Sequence, residues 1–144
     1  MVNVTISLEG SQTRYQTALD KTVGTVTTGT ITAGYLTYAD TSGGFSVVST
    51  ATAAASFIHA AQIWVADFTQ SAGNAITTVR GFDRVISDSN GSISVGAQLY
   101  PSTVTAGLVS TVQWSTLAPS IGYAVQGGAA GATVQAYIDP YGVS

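Results

Sequence analysis

A ten-residue phrase occurs twice in the chain and constrains its fold more than any other feature. Residues 29–38 read GTITAGYLTY and residues 91–100 read GSISVGAQLY, which share Gly, Ile, Gly and Tyr at the same places. A second pair follows, IWVADFTQSAGNAITTV at 63–79 against IGYAVQGGAAGATVQAY at 121–137. Two units of about 60 residues are too long and too few for a solenoid of short repeats. The pattern indicates two similar halves of one body; the alternative is a chance likeness between two hairpins.

Most of the chain consists of short runs rich in β-branched and aromatic residues, which Gly, Asn, Asp and Ser separate. This spacing predicts an all-β fold, a compact antiparallel β-barrel or sandwich. In the doubled phrase, Gly29 and Gly91 are predicted to open strands, whereas Gly34 and Gly96 are predicted to allow a bulge or a close backbone approach. The runs are TVGTVTTGTITAGYLTYAD, IWVADF, AITTVRGFDRVIS, SISVGAQLY, GLVSTVQWSTL, IGYAVQ and ATVQAYI.

Two further segments complete the expected organisation. The first residues alternate apolar and polar side chains, as a half-buried strand does, whereas residues 10–20 show little periodicity. We therefore expect an extended N-terminal arm at 1–20 and a single β-rich domain at 21–144; alternatively, the first strand belongs to the protein's own sheet. At most one short helix is expected, over the six-alanine stretch TATAAASFIHAA at 50–61.

Composition argues against several kinds of partner. Only 8% of the 144 residues are charged, and four Lys plus Arg against seven Asp plus Glu give a net charge of −3. Such a chain has no basic stripe to neutralise phosphates, so nucleic acid and membrane surfaces are not expected as partners. No run of 18 apolar residues is present, and cysteine is absent. We expect no secretory signal, because MVNVTISLEG lacks a cationic stretch and a continuous apolar stretch. If the sequence is complete, we expect the protein to be made in the cytoplasm.

No residue is predicted to be catalytic, to bind a cofactor or to hold a metal. His59 is the only histidine and lies in an Ala-rich run without a Gly-x-Ser-x-Gly motif, so a hydrolase is the weakest hypothesis. DSNGS at 88–92 lacks the later ligands of a calcium loop and indicates a hairpin turn, and no Gly-Lys-Ser/Thr follows GGAAG at 127–131. Trp64, Trp114 and the seven Tyr are candidates for a sugar-stacking surface.

Three stretches resemble a known family: IWVADFTQSAGNAITTVRGFDRVIS, GAQLYPSTVTAGLV and IGYAVQGGAAGATVQAYIDP. They are similar to the head decoration, or cement, proteins of tailed bacteriophages. The family pattern has an Ile-x-x-Ala strand, an Ala-Gly turn, a Val-rich return strand, a Gly-x-x-Leu-Tyr-Pro step and a late Ile-Gly-x-Ala hairpin. The resemblance covers roughly residues 23–139, and its motifs are short.

The resemblance implies a non-enzymatic virion protein on the outer capsid surface, often a trimer at three-fold or quasi-three-fold positions. Its expected partners are the major capsid protein and further copies of itself, and no cofactor is expected. The arm would pair with the capsid or a neighbouring chain by adding a strand to a sheet. A carbohydrate-binding or adhesive β-sandwich module is the alternative function. The candidate capsid or inter-subunit contacts are Val2, Val4, Ile6, Leu8, Arg14 and Tyr15.

Overall fold

The computed structural model describes residues 20–50, 62–115 and 120–143, which fold almost entirely into antiparallel strands and turns. The all-β prediction is therefore confirmed. The strands coincide with the predicted runs, to which the structure adds the short β4 and β6. They are β1 Asp20–Thr25, β2 Thr30–Ile31, β3 Leu36–Ala39, β4 Phe45–Val47, β5 Ile63–Ala66, β6 Gln70–Ser71, β7 Ala75–Ile86, β8 Gln98–Pro101, β9 Val109–Ser110, β10 Ser120–Ala124 and β11 Thr133–Val143.

One long strand, β7, joins the two halves of the molecule. Its first half pairs with β1 and β5, whereas its second half, from Gly81 onward, pairs with β11. Gly81 has a φ of 99° at this change of partners, a conformation that glycine adopts at little cost. We call residues 20–80 the first unit and residues 81–138 the second unit. The strand order β4-β3-β5-β7 in the first unit corresponds to β9-β8-β10-β11 in the second.

The two units share the same backbone hydrogen bonds at equivalent positions. Gly34 N donates to Ala66 O at 2.9 Å, and Gly96 N donates to Ala124 O at 2.7 Å. The short β2–β6 pairing recurs as a bridge between Ile93 and Gly128. Equivalent parallel bridges join Val26 to Phe45 in the first unit and Ser87 to Val109 in the second. The predicted pair of similar halves is therefore present.

The units differ in how their faces are buried. An apolar cluster inside the first unit consists of Val26, Ile31, Phe45, Ala66 and Ile76. The larger cluster contains the interior of the second unit together with the opposite face of the first unit's sheet, where Leu36, Val48, Ile63, Val65 and Val79 lie. The larger cluster therefore holds the two units together.

Gly34 and Gly96 occupy turns and not the predicted bulges. Tyr35 N donates to Thr32 O, and Ala97 N donates to Ser94 O, so each glycine is the third residue of a four-residue turn. Their φ values are 86° and 83°, which favour glycine at this position of a turn. The alternative prediction, a close backbone approach, does not hold either, since a Cβ at Gly96 would meet no atom within 4 Å and one at Gly34 would make only ordinary contacts at 3.4 Å or more. Turns, bulges and close approaches all interrupt a strand with the same sequence pattern.

Several predictions fall on residues that the structure does not describe. They are the N-terminal arm, apart from Asp20, and the helix over 50–61, apart from Thr50, so both remain predictions. In the described ranges, no helix has the length and apolar character that crossing a membrane requires.

Candidate interaction surface

Three aromatic side chains form a row across adjacent strands on the outside of the second unit. Phe82 of β7 lies opposite Tyr137 of β11, which in turn lies opposite Tyr123 of β10. The ring centroids are 4.9 Å apart for Phe82 and Tyr137, at an interplanar angle of 63°, and 5.5 Å apart for Tyr123 and Tyr137. Phe82 is 42% exposed and Tyr123 is 39% exposed. We call Phe82, Tyr137 and Tyr123 the aromatic row.

A second row of the same face lies beside the aromatic row. Side chains two residues apart on a strand share a face, which places Arg84, Gln135 and Val125 next to Phe82, Tyr137 and Tyr123. Arg84 pairs with Gln135 across the strands, and Val125 N donates to Gln135 O at 2.9 Å. With Gln98, the partner of Tyr123 on β8, these residues form what we call the outer face. Arg84 is the only charged residue of this set, and Asp139 follows Tyr137 by two residues on the same face of β11.

The outer face has an equivalent in the first unit, but there it is covered in part. When the repeats are aligned, Val65 corresponds to Tyr123 and Val79 to Tyr137. Val65 is 0% exposed and Val79 is 6% exposed, and both belong to the cluster shared with the second unit. Residues of the second unit also contact this side directly, since Leu36 N donates to Gly107 O at 2.7 Å and Gly107 N donates to Val48 O at 2.9 Å. The equivalents of Tyr123, Tyr137 and Gln98 are therefore internal in the first unit, whereas the equivalents of Phe82, Arg84 and Val125 are exposed, namely Lys21, Val23 and Asp67.

A small cleft of about 210 Å³ lies at one end of the outer face, where the two units meet. Ligand pockets for small molecules are typically larger, about 300–1,000 Å³. The buried Asp83 accepts a hydrogen bond from the backbone N of Arg84 at 2.8 Å, so its carboxylate is partly used by its own strand. The lining residues are Ala33, Gly34, Ala66, Asp67, Asp83, Arg84, Ile86 and Thr133.

The two tryptophans do not form the exposed stacking surface that the sequence left open. Trp64 is half-buried against the core of the first unit, and the guanidinium carbon of Arg80 lies 3.8 Å from the centroid of its ring. Arg80 Nε also donates to Ile63 O at 3.0 Å, which fixes the guanidinium in place. Trp114 is half-buried as well. The exposed aromatic surface is instead built from Phe82 and two tyrosines.

Carboxylate–hydroxyl pairs stabilise turns in both units, and the pair of the second unit is buried. In the first, Asp40 accepts hydrogen bonds from Ser46 Oγ at 2.6 Å and from the backbone N of Ser42 at 2.9 Å. The hydrogen bond from Ser46 and a second from Thr27 are the main reasons that the pKa of Asp40 lies below its ordinary value of 3.8. In the second unit, Ser102 Oγ donates to Asp88 Oδ2 at 2.7 Å.

These pairs exchange positions between the units. Thr27 and Asp88 are equivalent, because their backbone N atoms donate to the equivalent Phe45 O and Val109 O. Asp40 and Ser102 are equivalent as well, because their backbone N atoms donate to the equivalent Gly44 O and Leu108 O. Carboxylate and hydroxyl have thus swapped places, and each pair is explained as a structural bond within its turn.

The predicted contact residues lie outside the described part of the chain, and so does His59. These predictions are therefore untested, as is the expectation that the protein is not an enzyme. Within the described ranges, no group of three or more His, Cys, Asp or Glu side chains is placed to hold a metal ion. The segment DSNGS contains a turn at Ser89–Asn90. The backbone N of Asn90 donates a hydrogen bond to Asp88 Oδ1 at 3.0 Å.

Sequence reasoning did not single out the aromatic row, although a usable signal was present. Aligning IWVADFTQSAGNAITTV with IGYAVQGGAAGATVQAY places Tyr123 on Val65 and Tyr137 on Val79. Two aliphatic positions on one face thus become tyrosines in the second copy. Tyrosine combines a large apolar ring with a polar group, which suits a partly exposed face.

The fold belongs to the class of all-β bodies built from two tandem strand units. No family model matches the chain, and no curated protein matches it. Among solved structures, it is similar to the N base of the head fiber gp8.5 of bacteriophage phi29, with a TM-score of 0.53 and 17% sequence identity. The match covers 87% of this chain and 98% of that chain. At this identity the likeness shows a shared fold.

Proposed function

We propose that the protein is a structural component of a bacteriophage virion that binds the outer surface of the head. The observation that carries this proposal is the fold shared with the base of a phage head fiber over 87% of the chain. The short sequence motifs that resemble those of head decoration proteins support the same class.

The finer part of the proposal is that the protein stabilises the assembled shell as a trimer at three-fold or quasi-three-fold positions. A ligand that binds only the assembled lattice stabilises that state by mass action. A trimer strengthens this effect, since three linked contacts dissociate far less readily than one. The low charge of the chain, 8% of its residues, fits contacts made by shape and apolar burial.

The arm at residues 1–20 is the proposed contact with the major capsid protein. Alternating Val2, Val4, Ile6 and Leu8 suit strand addition, in which main-chain hydrogen bonds give affinity and every second side chain gives specificity. The main body would then be free to contact neighbouring copies through another surface.

Binding to purified phage heads tests this function. The full chain is mixed with mature heads, or with free capsid subunits, and the bound fraction is measured by cosedimentation. We expect saturable binding to mature heads only, and a large loss of binding for Val4→Ser/Ile6→Ser. The matched control Thr5→Ser/Ser7→Thr changes the intervening positions and should bind normally. Equal binding to heads and subunits would contradict the lattice-specific mechanism.

The aromatic row favours a second candidate, a carbohydrate-binding module. Exposed aromatic rings beside the amides of Gln98 and Gln135 are groups that can stack on and hydrogen-bond to a saccharide. Glycan binding by the wild-type chain and by Tyr123→Thr/Tyr137→Thr distinguishes the two candidates. A head-binding protein should have no saccharide affinity, whereas a lectin-like module should lose its affinity in the variant.

A further inference from the structure

We infer that the outer face of the second unit is a self-association surface, on which a second copy of this chain packs. The inference specifies the homo-oligomer included in the proposed function, but it does not depend on attachment to a phage head. Self-association and head attachment can therefore be tested separately.

The first argument comes from the repeat itself. In the first unit, the positions equivalent to Tyr123 and Tyr137 are buried in a cluster that the second unit completes. In the first unit, the second unit therefore covers the part of this face that holds Val65 and Val79, whereas Lys21, the equivalent of Phe82, stays exposed. No further unit follows the second one within the described residues, and its face is left open.

The second argument is the exposure and chemistry of the open face. Phe82 and Tyr123 remain 42% and 39% exposed, although they contact the same neighbour, Tyr137. Val125, in the adjacent row, is 40% exposed. Single exposed apolar residues are common on protein surfaces, whereas contiguous apolar patches mark interaction sites. Aromatic residues are also enriched at the centres of protein interfaces.

The third argument is electrostatic. Arg84 lies at the end of the outer face next to the cleft that Asp67 and Asp83 also line, and Asp139 lies on the other side of Tyr137 along β11. Like charges that face each other across an interface cost several kcal/mol. The centre of this face carries no charge, so it can meet an identical chain without that cost. A partner with a strongly basic or acidic surface would find no complementary charge at this centre.

Sedimentation velocity of the full chain over a range of concentrations tests the inference. We expect the wild-type chain to form an oligomer, and Tyr123→Thr/Tyr137→Thr to raise the self-association Kd by about 100-fold or more. Threonine keeps a high strand propensity, so the variant should remain folded. Circular dichroism and thermal unfolding check this point.

Two matched variants make the test specific. Tyr123→Phe/Tyr137→Phe keeps the rings and should associate as the wild type does. Val95→Thr removes an apolar side chain that is 72% exposed and lies on a turn outside the outer face, and it should also leave association unchanged.

Two results would overturn the inference. The first is a wild-type chain that is monomeric at all concentrations. If the threonine variant of such a monomer also lost binding to heads or to glycans, the face would be assigned to a capsid protein or a saccharide. The second is an oligomer that the threonine variant leaves intact. An oligomer that the threonine variant disrupts supports the inference even if neither form binds heads, in which case the proposed function fails alone.

Discussion

The first and second units have the same strand order and equivalent hydrogen bonds, yet they use equivalent positions differently. Val65 and Val79 are buried between the units, whereas Tyr123 and Tyr137 lie on the exposed face of the second. Trp64, which packs against Arg80 in the first unit, corresponds to Gly122 in the second. Equivalent positions of the same backbone therefore hold side chains of very different size. Whether such a side chain is buried depends on which other part of the molecule covers it.

The largest expected effect is at Gly122, where the units differ most in side-chain size. A Cβ there would lie 1.9 Å from the backbone O of Tyr137, next to the register shift between β10 and β11. We expect Gly122→Ala to lower the free energy of unfolding by at least about 4 kcal/mol, since the backbone itself must move. Denaturant unfolding followed by circular dichroism measures this change.

Gly131→Ala is the matched control for Gly122. Gly131 has a φ of 78°, but a Cβ there meets no atom within 4 Å. Only the backbone conformation opposes the substitution, at a cost of about 1 kcal/mol. Similar losses at the two glycines would show that the close approach at Gly122 has been overestimated.

The next largest effect contrasts Leu36 with its equivalent, Gln98. Leu36 is fully buried in the cluster between the units, whereas Gln98 lies on the outer face. Leu36→Ala should cost about 3 kcal/mol, through lost burial and the cavity it leaves. Gln98→Ala should cost less, about 1 kcal/mol, since it removes only the hydrogen bond that Gln98 Oε1 accepts from the Tyr100 hydroxyl at 3.2 Å. If both cost the same in the monomer, the faces of the two units are not buried differently.

A smaller effect is expected at Arg80, whose equivalent in the second unit is the buried Ile138. Arg80→Met keeps much of the apolar stem but removes the hydrogen bond to Ile63 O and the contact with Trp64. We expect a loss of about 2 kcal/mol. The control is Lys21→Met on β1, since Lys21 is exposed. An Arg80 variant as stable as the Lys21 variant would argue against a structural role for the guanidinium.

The smallest effect concerns the exchanged carboxylates and hydroxyls. The pKa of Asp40 is lowered by hydrogen bonds from Ser46 and Thr27, so the ionised form is favoured by folding. Its contribution to stability is present above the unfolded pKa of 3.8 and is lost as the pH falls through the lower folded pKa. Asp40→Asn should therefore flatten the acid limb of a stability-against-pH profile, and Ser46→Ala should do so partly. An unchanged slope in both variants would contradict this assignment.

Local patterns in the sequence were sufficient to predict the repeat and all the strands except the short β4 and β6. AITTVRGFDRVIS became β7, and the Ala-Gly pairs at 72–73 and 130–131 became turns with glycine φ values of 86° and 78°. The sharing of β7 between the units was not predictable from alternation, because pairing partners are a long-range property. The exposure of Phe82, Tyr123 and Tyr137 was missed for the same reason, since alternation separates two faces of a strand without saying which one another unit covers.

Electron microscopy of the host phage particle, with the protein present and after it has been stripped, tests the proposed function most directly. We predict density for the protein on the outer surface of the head, in clusters of three at three-fold or quasi-three-fold positions, with the second unit's outer face turned toward neighbouring copies. Stripped heads should lack this density and should disassemble at a lower temperature. Head density that is identical in the two samples would contradict the account.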